Sequence, residues 1–190
     1  WYHYVVAHMA LRYLRLTRHR PGLGLQVTPD QVVAAFDYVV AVVQPDGNFT
    51  PVGDSGHYAV PYRTLEAVLA MRGALRREFG FSDAPPPLTQ IFPDAKQAFL
   101  RDSWKPDATY LTFDATHRLG YHWHPARNAI QLNFAGRGVI VDNGYMGHEP
   151  AAHRRYACST PGHSTMNLNG WDQSPSEASL RRRSAEGYEI

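Results

Sequence analysis

The chain has 190 residues, 44% of them hydrophobic, with a formal net charge of +2 at pH 7. That supports a packed core in one large or two small domains and argues against wholesale disorder. With Arg181-Arg182-Arg183 as the sole basic cluster, the charge balance speaks against a nucleic-acid-binding face. No apolar run reaches membrane-spanning length, and the single cysteine, Cys158, excludes an internal disulfide and a multi-thiolate metal site.

Residues 1 to about 18 carry Val5, Val6, Met9, Tyr13, Leu14 and Leu16 at roughly helical spacing. Arg18, His19 and Arg20 suit a helix C-terminus, and Pro21-Gly22 ends it. Thr28, Pro29 and Gln31 spell an N-cap, a first-turn proline and a capping box. Val32, Val33, Phe36, Val39, Val40 and Val43 follow as the buried stripe of a second helix, up to the turn Pro45-Asp46-Gly47. A Gly- and Asp-rich loop comes next, and Leu65, Val68, Leu69 and Leu75 predict a third helix over about 62–79. Pro85-Pro86-Pro87 is a stiff spacer and the best boundary in the chain, dividing residues 1–84 from 85–190. Beyond it the period changes. Strands are predicted at 97–101 and 108–114, and an antiparallel pair at 128–134 and 137–142 around Ala135-Gly136. Helices first and strands afterwards make an α+β chain. The chain opens with Trp1 inside a helical pattern and stops at Tyr188-Glu189-Ile190 inside a strand pattern, so a segment of a longer protein is expected.

The chemistry concentrates between His122 and Gln173. In a strand, His122 and His124 would share one face while Trp123 points away. Asp142 ends the apolar run Val139-Ile140-Val141. His163 follows Pro161-Gly162 and is expected to open a short strand over 165–168. Histidines and a carboxylate on neighbouring strands form a zinc-type ligand set, here His124, Asp142 and His163. The competing reading is that each is an ordinary hydrogen-bonded polar residue.

From Ile91-Phe92-Pro93-Asp94-Ala95 to Trp171-Asp172-Gln173 the chain resembles the heparinase II/III-like polysaccharide lyases. The landmarks come in that family's order: Phe-Leu-Arg-Asp-Ser-Trp at 99–104, the His-x-His pair, and Val-Ile-Val-Asp-x-Gly at 139–144. Arg155-Tyr156 then leads into Ser159-Thr160-x-x-His163-x-Thr165, and Asn169-Gly170-x-Asp172-Gln173 closes the series. Upstream, Pro45-Asp46-Gly47 with Gly53-Asp54-Ser55 looks like the loop between the family's late toroid helices. Trp1-Tyr2-His3 looks like the end of its Ser-Pro-x-Tyr-His segment. The chain departs from the pattern at Trp123, Ala126 and Ser164.

The resemblance implies the last helices of an α/α-toroid followed by an antiparallel β-sandwich, with an anionic polysaccharide held between them and cleaved by β-elimination at a uronic acid. It implies Tyr2 as the phenol serving as acid or base and His122 as the partner base. Tyr58 is a second candidate phenol and a substrate contact, with Arg155 and His153 as further contacts. A structural zinc on His124, Asp142 and His163 would pin the sandwich. The family's carboxylate-neutralising residues come from helices that precede Tyr2, and a periplasmic or secreted location goes with this activity. Two other readings compete. One is a non-catalytic, zinc-stapled carbohydrate-binding sandwich. The other is a cupin-like metal protein, which should carry a glutamate where Asn128 and Ala129 stand.

Overall fold

A computed structural model describes residues 2–18, 20, 27–56, 64–116, 122, 124–147, 152–174, 181–182 and 188–189. Three helices come first: α1 (Tyr2–Thr17), α2 (Pro29–Ala41) and α3 (Leu65–Glu78). The sequence signals hold at α2, where Thr28 accepts from the Gln31 N–H and the Gln31 side chain accepts from the Thr28 N–H. On α1 the buried face is Ala7, Leu11 and Leu14, whereas Val6, Met9 and Leu16 are exposed. These α1 residues pack with Val32, Phe36, Val39, Val40, Leu65, Val68 and Leu75 into one apolar core.

The strands β1 (Thr89–Phe92), β2 (Gln97–Arg101), β3 (Tyr110–Asp114), β4 (Ala129–Phe134) and β5 (Arg137–Ile140) form an antiparallel meander in the order β1-β2-β3-β4-β5. A two-residue ladder, β6 (Arg181–Arg182) with β7 (Tyr188–Glu189), lies further along the chain. The α+β class and the antiparallel second half stand as expected. Several local expectations do not. β1 was not foreseen, His122 and His124 lie outside any strand, and the stretch after His163 is irregular apart from a Leu168–Trp171 bridge. Past Asp142 the chain carries a short helix, α4 (Ala152–Ala157), followed by a 3-10 turn, Thr160–Gly162.

The sheet face turned to the helices is unusually polar. Cross-strand register aligns Phe99 with Thr112 and Gln131, and Arg101 with Tyr110 and Asn133, and all six are buried. Buried polar groups need partners, and several of these find them in the end of α2 and the loop behind it, although Arg101 Nε and Nη1 have no hydrogen-bond partner among the described residues. Tyr110 Oη donates to the Ala41 carbonyl at 2.9 Å and lies 2.9 Å from Thr50 Oγ1. Arg101 Nη2 donates to the carbonyls of Ala41 (3.1 Å) and Val43 (3.0 Å). Its guanidinium also sits 3.8 Å from the centre of the Trp104 ring and 4.5 Å from that of Tyr110. Burial lowers the Arg101 pKa to about 10. Gln131 donates to the Pro51 carbonyl at 2.7 Å, and Asn133 to Gln44 Oε1 at 3.0 Å. The sheet thus fixes the path of residues 42–52, which deliver Gly53 and Asp54 to the site.

Candidate functional site

Asp54 is the centre of a cluster at the seam between helices and sheet. One carboxylate oxygen lies 2.9 Å from His122 Nδ1 and the other 2.9 Å from His124 Nε2. The Arg154 guanidinium, brought by α4, faces both oxygens at 3.3 Å. The Asp54 side chain is 6% exposed and that of His122 is 56% exposed, so a surface imidazole stands on a buried carboxylate. Burial alone would raise the Asp54 pKa, but the contacts with His122, His124 and Arg154 outweigh it and hold it at about 2.

The approach is close because position 53 is glycine. Gly53 has φ +54°, and a Cβ there would lie 2.5 Å from the His122 carbonyl oxygen. The Asp54 N–H donates to that same carbonyl at 3.3 Å. Asp54 therefore meets His122 at two points, backbone and ring.

A carboxylate only accepts, so the imidazole nitrogens facing Asp54 carry protons. In its neutral form His122 then carries Nδ1–H and has its lone pair on Nε2. His124 is set with Nε2–H and its lone pair on Nδ1. His124 is buried, and burial outweighs the Asp54 contact to lower its pKa and keep it neutral. Its Nδ1 has no hydrogen-bond partner among the described residues.

On the far side of the His124 ring lies His163, the ring centroids 5.1 Å apart. His163 Nδ1 is 2.6 Å from Asp142 Oδ2, and the other Asp142 oxygen accepts from the Gly144 N–H at 2.8 Å. His163 Nε2, like His124 Nδ1, is buried without a partner among the described residues. The structure therefore sets His124 beside His163 and His163 against Asp142, but among the described residues these three do not bring one ligand atom each to a common point.

A second grouping shares His124. The ligand atoms of Asp54, His124 and Cys158 all lie within 4.8 Å of one another, an arrangement that could hold a metal ion. Cys158 Sγ is 3.2 Å from His124 Nε2, and burial raises the thiol pKa.

Of the other residues singled out in the sequence, Tyr2 begins α1 but its side chain lies outside the described residues, as does Tyr58. His153 and Arg155 are exposed on α4. Asp54, Arg154 as its partner and Cys158 were not foreseen as site groups. The signal available for Asp54 was its place behind Gly53 in the Gly-Asp-Ser loop.

A helical layer on the polar face of a five-stranded antiparallel meander, with a histidine–carboxylate cluster at the seam, places the chain in the α+β class. The chain belongs to the heparinase II/III-like family, whose C-terminal domain profile matches residues 84–189. Among solved structures, the heparinase III product of the BT4657 gene is similar at 18% identity and TM-score 0.74, over 98% of this chain and 31% of that one. The heparan sulfate lyase HepC of Pedobacter heparinus is similar at 19% identity and TM-score 0.75, over 95% of this chain and 30% of that one. A further heparinase III matches at 16% identity and TM-score 0.63, over 83% of this chain and 29% of that one. At such identities the likeness speaks for the fold, and the chain spans about 30% of the length of these relatives. No curated protein sequence matches the chain. No helix among the described residues is long and apolar enough to cross a membrane.

Proposed function

We propose that this chain is the toroid-helix and β-sandwich portion of a polysaccharide lyase that cleaves an acidic, uronate-containing polysaccharide by β-elimination. The observation that carries the reading is His122: an exposed imidazole whose Nδ1 is held on a buried carboxylate, so that Nε2 is the nitrogen able to take a proton. In this reading His122 takes the proton α to the uronate carboxylate. The electron pair forms the new C4–C5 double bond as the C4–oxygen bond breaks. The phenol of Tyr2 returns a proton to the departing glycosidic oxygen. Arg155 and His153, exposed on α4, and Tyr58 are assigned to substrate contact. Heparan sulfate is the first substrate to test, given the activity named for HepC. A periplasmic or secreted location fits an enzyme acting on such polymers.

The same reading gives His124, Asp142 and His163 one structural zinc. Its support is the pair of imidazole nitrogens, His124 Nδ1 and His163 Nε2, buried without a partner among the described residues; Asp142, which here holds His163 Nδ1 and the Gly144 N–H, would have to turn from those contacts to join them. Bound there, the ion would supply a cross-link between three segments of chain. Arg154 makes the Asp54–Cys158 side of His124 the poorer alternative, because its cation already faces both Asp54 oxygens.

The test is ultraviolet absorbance from the unsaturated uronate when the full-length protein bearing this chain meets heparan sulfate, heparin or alginate. His122→Ala and Tyr2→Phe should each cut the rate by ~10²-fold or more while the protein stays folded. If Tyr2→Phe matches wild type and Tyr58→Phe is dead, the phenol is Tyr58. No product from any uronate polymer would overturn the lyase reading.

A further inference from the structure

Asp54, which organises the cluster, enters the reaction above only as the carboxylate beneath His122 Nδ1. We propose that Asp54 is a positioning residue for His122: one carboxylate oxygen sets the ring plane and tautomer of the base, while the other holds His124. What His122 does rests on the lyase reading above, whereas the hold itself rests on geometry alone.

Three observations converge on it. The two oxygens are divided, one to His122 Nδ1 and one to His124 Nε2, both at 2.9 Å. Two ring N–H donors and a guanidinium require an acceptor-only group, and an asparagine would turn its NH2 towards at least one of them. The carboxylate is itself immobilised, since residues 44–51 are bonded to buried side chains of the sheet, Tyr110, Gln131 and Asn133. Finally, Gly53 lets the loop backbone approach within bonding distance of the His122 carbonyl, a contact that a Cβ would block. A side chain with only a packing role would need neither the split of its oxygens nor the glycine before it. Holding His122 and His124 on one carboxylate also links the base to the imidazole assigned to zinc, in the manner of carboxylates that orient metal-bound histidines.

Asp54→Asn and Asp54→Ala in the full-length protein test the hold. Loss of the aspartate that orients a catalytic histidine costs up to ~10⁴-fold in kcat in serine proteases, and the greater exposure of His122 makes ~10²-fold the expectation here. KM should change little, because Asp54 is assigned no substrate contact. Formate, small enough to enter the space left by Asp54→Ala, should restore part of kcat there but not in Asp54→Asn, where the amide fills it. Independently of turnover, ring ¹⁵N shifts should report Nδ1–H on His122 and Nε2–H on His124 in wild type, with His122 becoming a tautomer mixture in Asp54→Ala and at least one of the two rings changing in Asp54→Asn. A folded Asp54→Asn enzyme with undiminished kcat, or ring shifts of both histidines identical to wild type, overturns the proposal. If the wild type forms no unsaturated product, the lyase reading fails and the nitrogen shifts alone decide whether the hold exists. If Asp54→Ala does not fold, the asparagine variant and those shifts still decide it.

Discussion

Gly53→Ala is the smallest change that should dismantle the cluster without touching a polar group. The new methyl carbon would lie 2.5 Å from the His122 carbonyl oxygen, about 0.9 Å inside ordinary van der Waals contact. The obstacle is backbone, so no side chain can swing away to relieve it. An L-residue at φ +54° adds roughly 1–2 kcal/mol of conformational cost, and forced overpacking roughly 1–3 kcal/mol. Spread over a chain of this size, that is a fall in Tm of about 5–15 °C. If the loop yields instead, Asp54 retreats from His122, and a displacement of ~1 Å at a catalytic group is worth ~10²-fold in rate. Gly80→Ala is the control. Its φ is +78°, but no described atom lies within 4 Å of the added carbon, so only the conformational cost of roughly 1–2 kcal/mol applies. Thermal melts of both variants, with elimination rates of the full-length proteins, make the comparison. A Gly53→Ala protein no less stable than Gly80→Ala and fully active would refute the close-approach argument.

Metal content by mass spectrometry should show one divalent ion in the wild type, lost in His163→Ala along with part of the thermal stability, and kept in Cys158→Ser. The reverse pattern would move the ion to the Asp54 side of His124. Acid sensitivity follows from Asp54, whose folded pKa of about 2 lies below the ordinary carboxylate value. A depressed carboxylate contributes stability that is complete above its unfolded pKa and is lost as pH falls through about 4 towards 2. Wild type should therefore lose more melting temperature over that window than Asp54→Asn, and equal losses would count against the charged contact.

What was legible in the sequence was local. The capping box at Thr28 and Gln31 and the valine stripe of α2 depend on neighbours within a turn or two, and both formed as expected except at Val43, which is buried beyond the helix end in a bridge with Phe49. The polar face of β4 was hidden because alternation in Ala129–Phe134 invites Ile130 and Leu132 inward, whereas Gln131 and Asn133 are the buried residues. Their burial is stabilised by loop atoms some eighty to ninety positions away. Asp54 was illegible for the same reason. Its partners lie 68, 70 and 100 residues along the chain, and Gly53-Asp54-Ser55 by itself reads as turn chemistry. The His-Trp-His triplet suggested a strand by alternation. In the structure a single carboxylate, not a sheet register, brings its two histidines to one point.

The manner in which α2 ends has a consequence for how the molecule comes apart. The carbonyl of its last residue, Ala41, and that of Val43 just beyond the helix are satisfied by Arg101 and Tyr110 from the middle of the sheet. Peeling the helices from the strands would strip those carbonyls of their partners and part Tyr38 of α2 from the rings of Phe92 and Phe99 on the sheet. Pro85-Pro86-Pro87 therefore marks where the backbone passes between layers, while the contacts that resist separation gather elsewhere, around the end of one helix. A protease cut at the prolines should leave two pieces that stay associated and melt in a single transition, with the amides of β2, β3 and the last turn of α2 exchanging their hydrogens together as one unit.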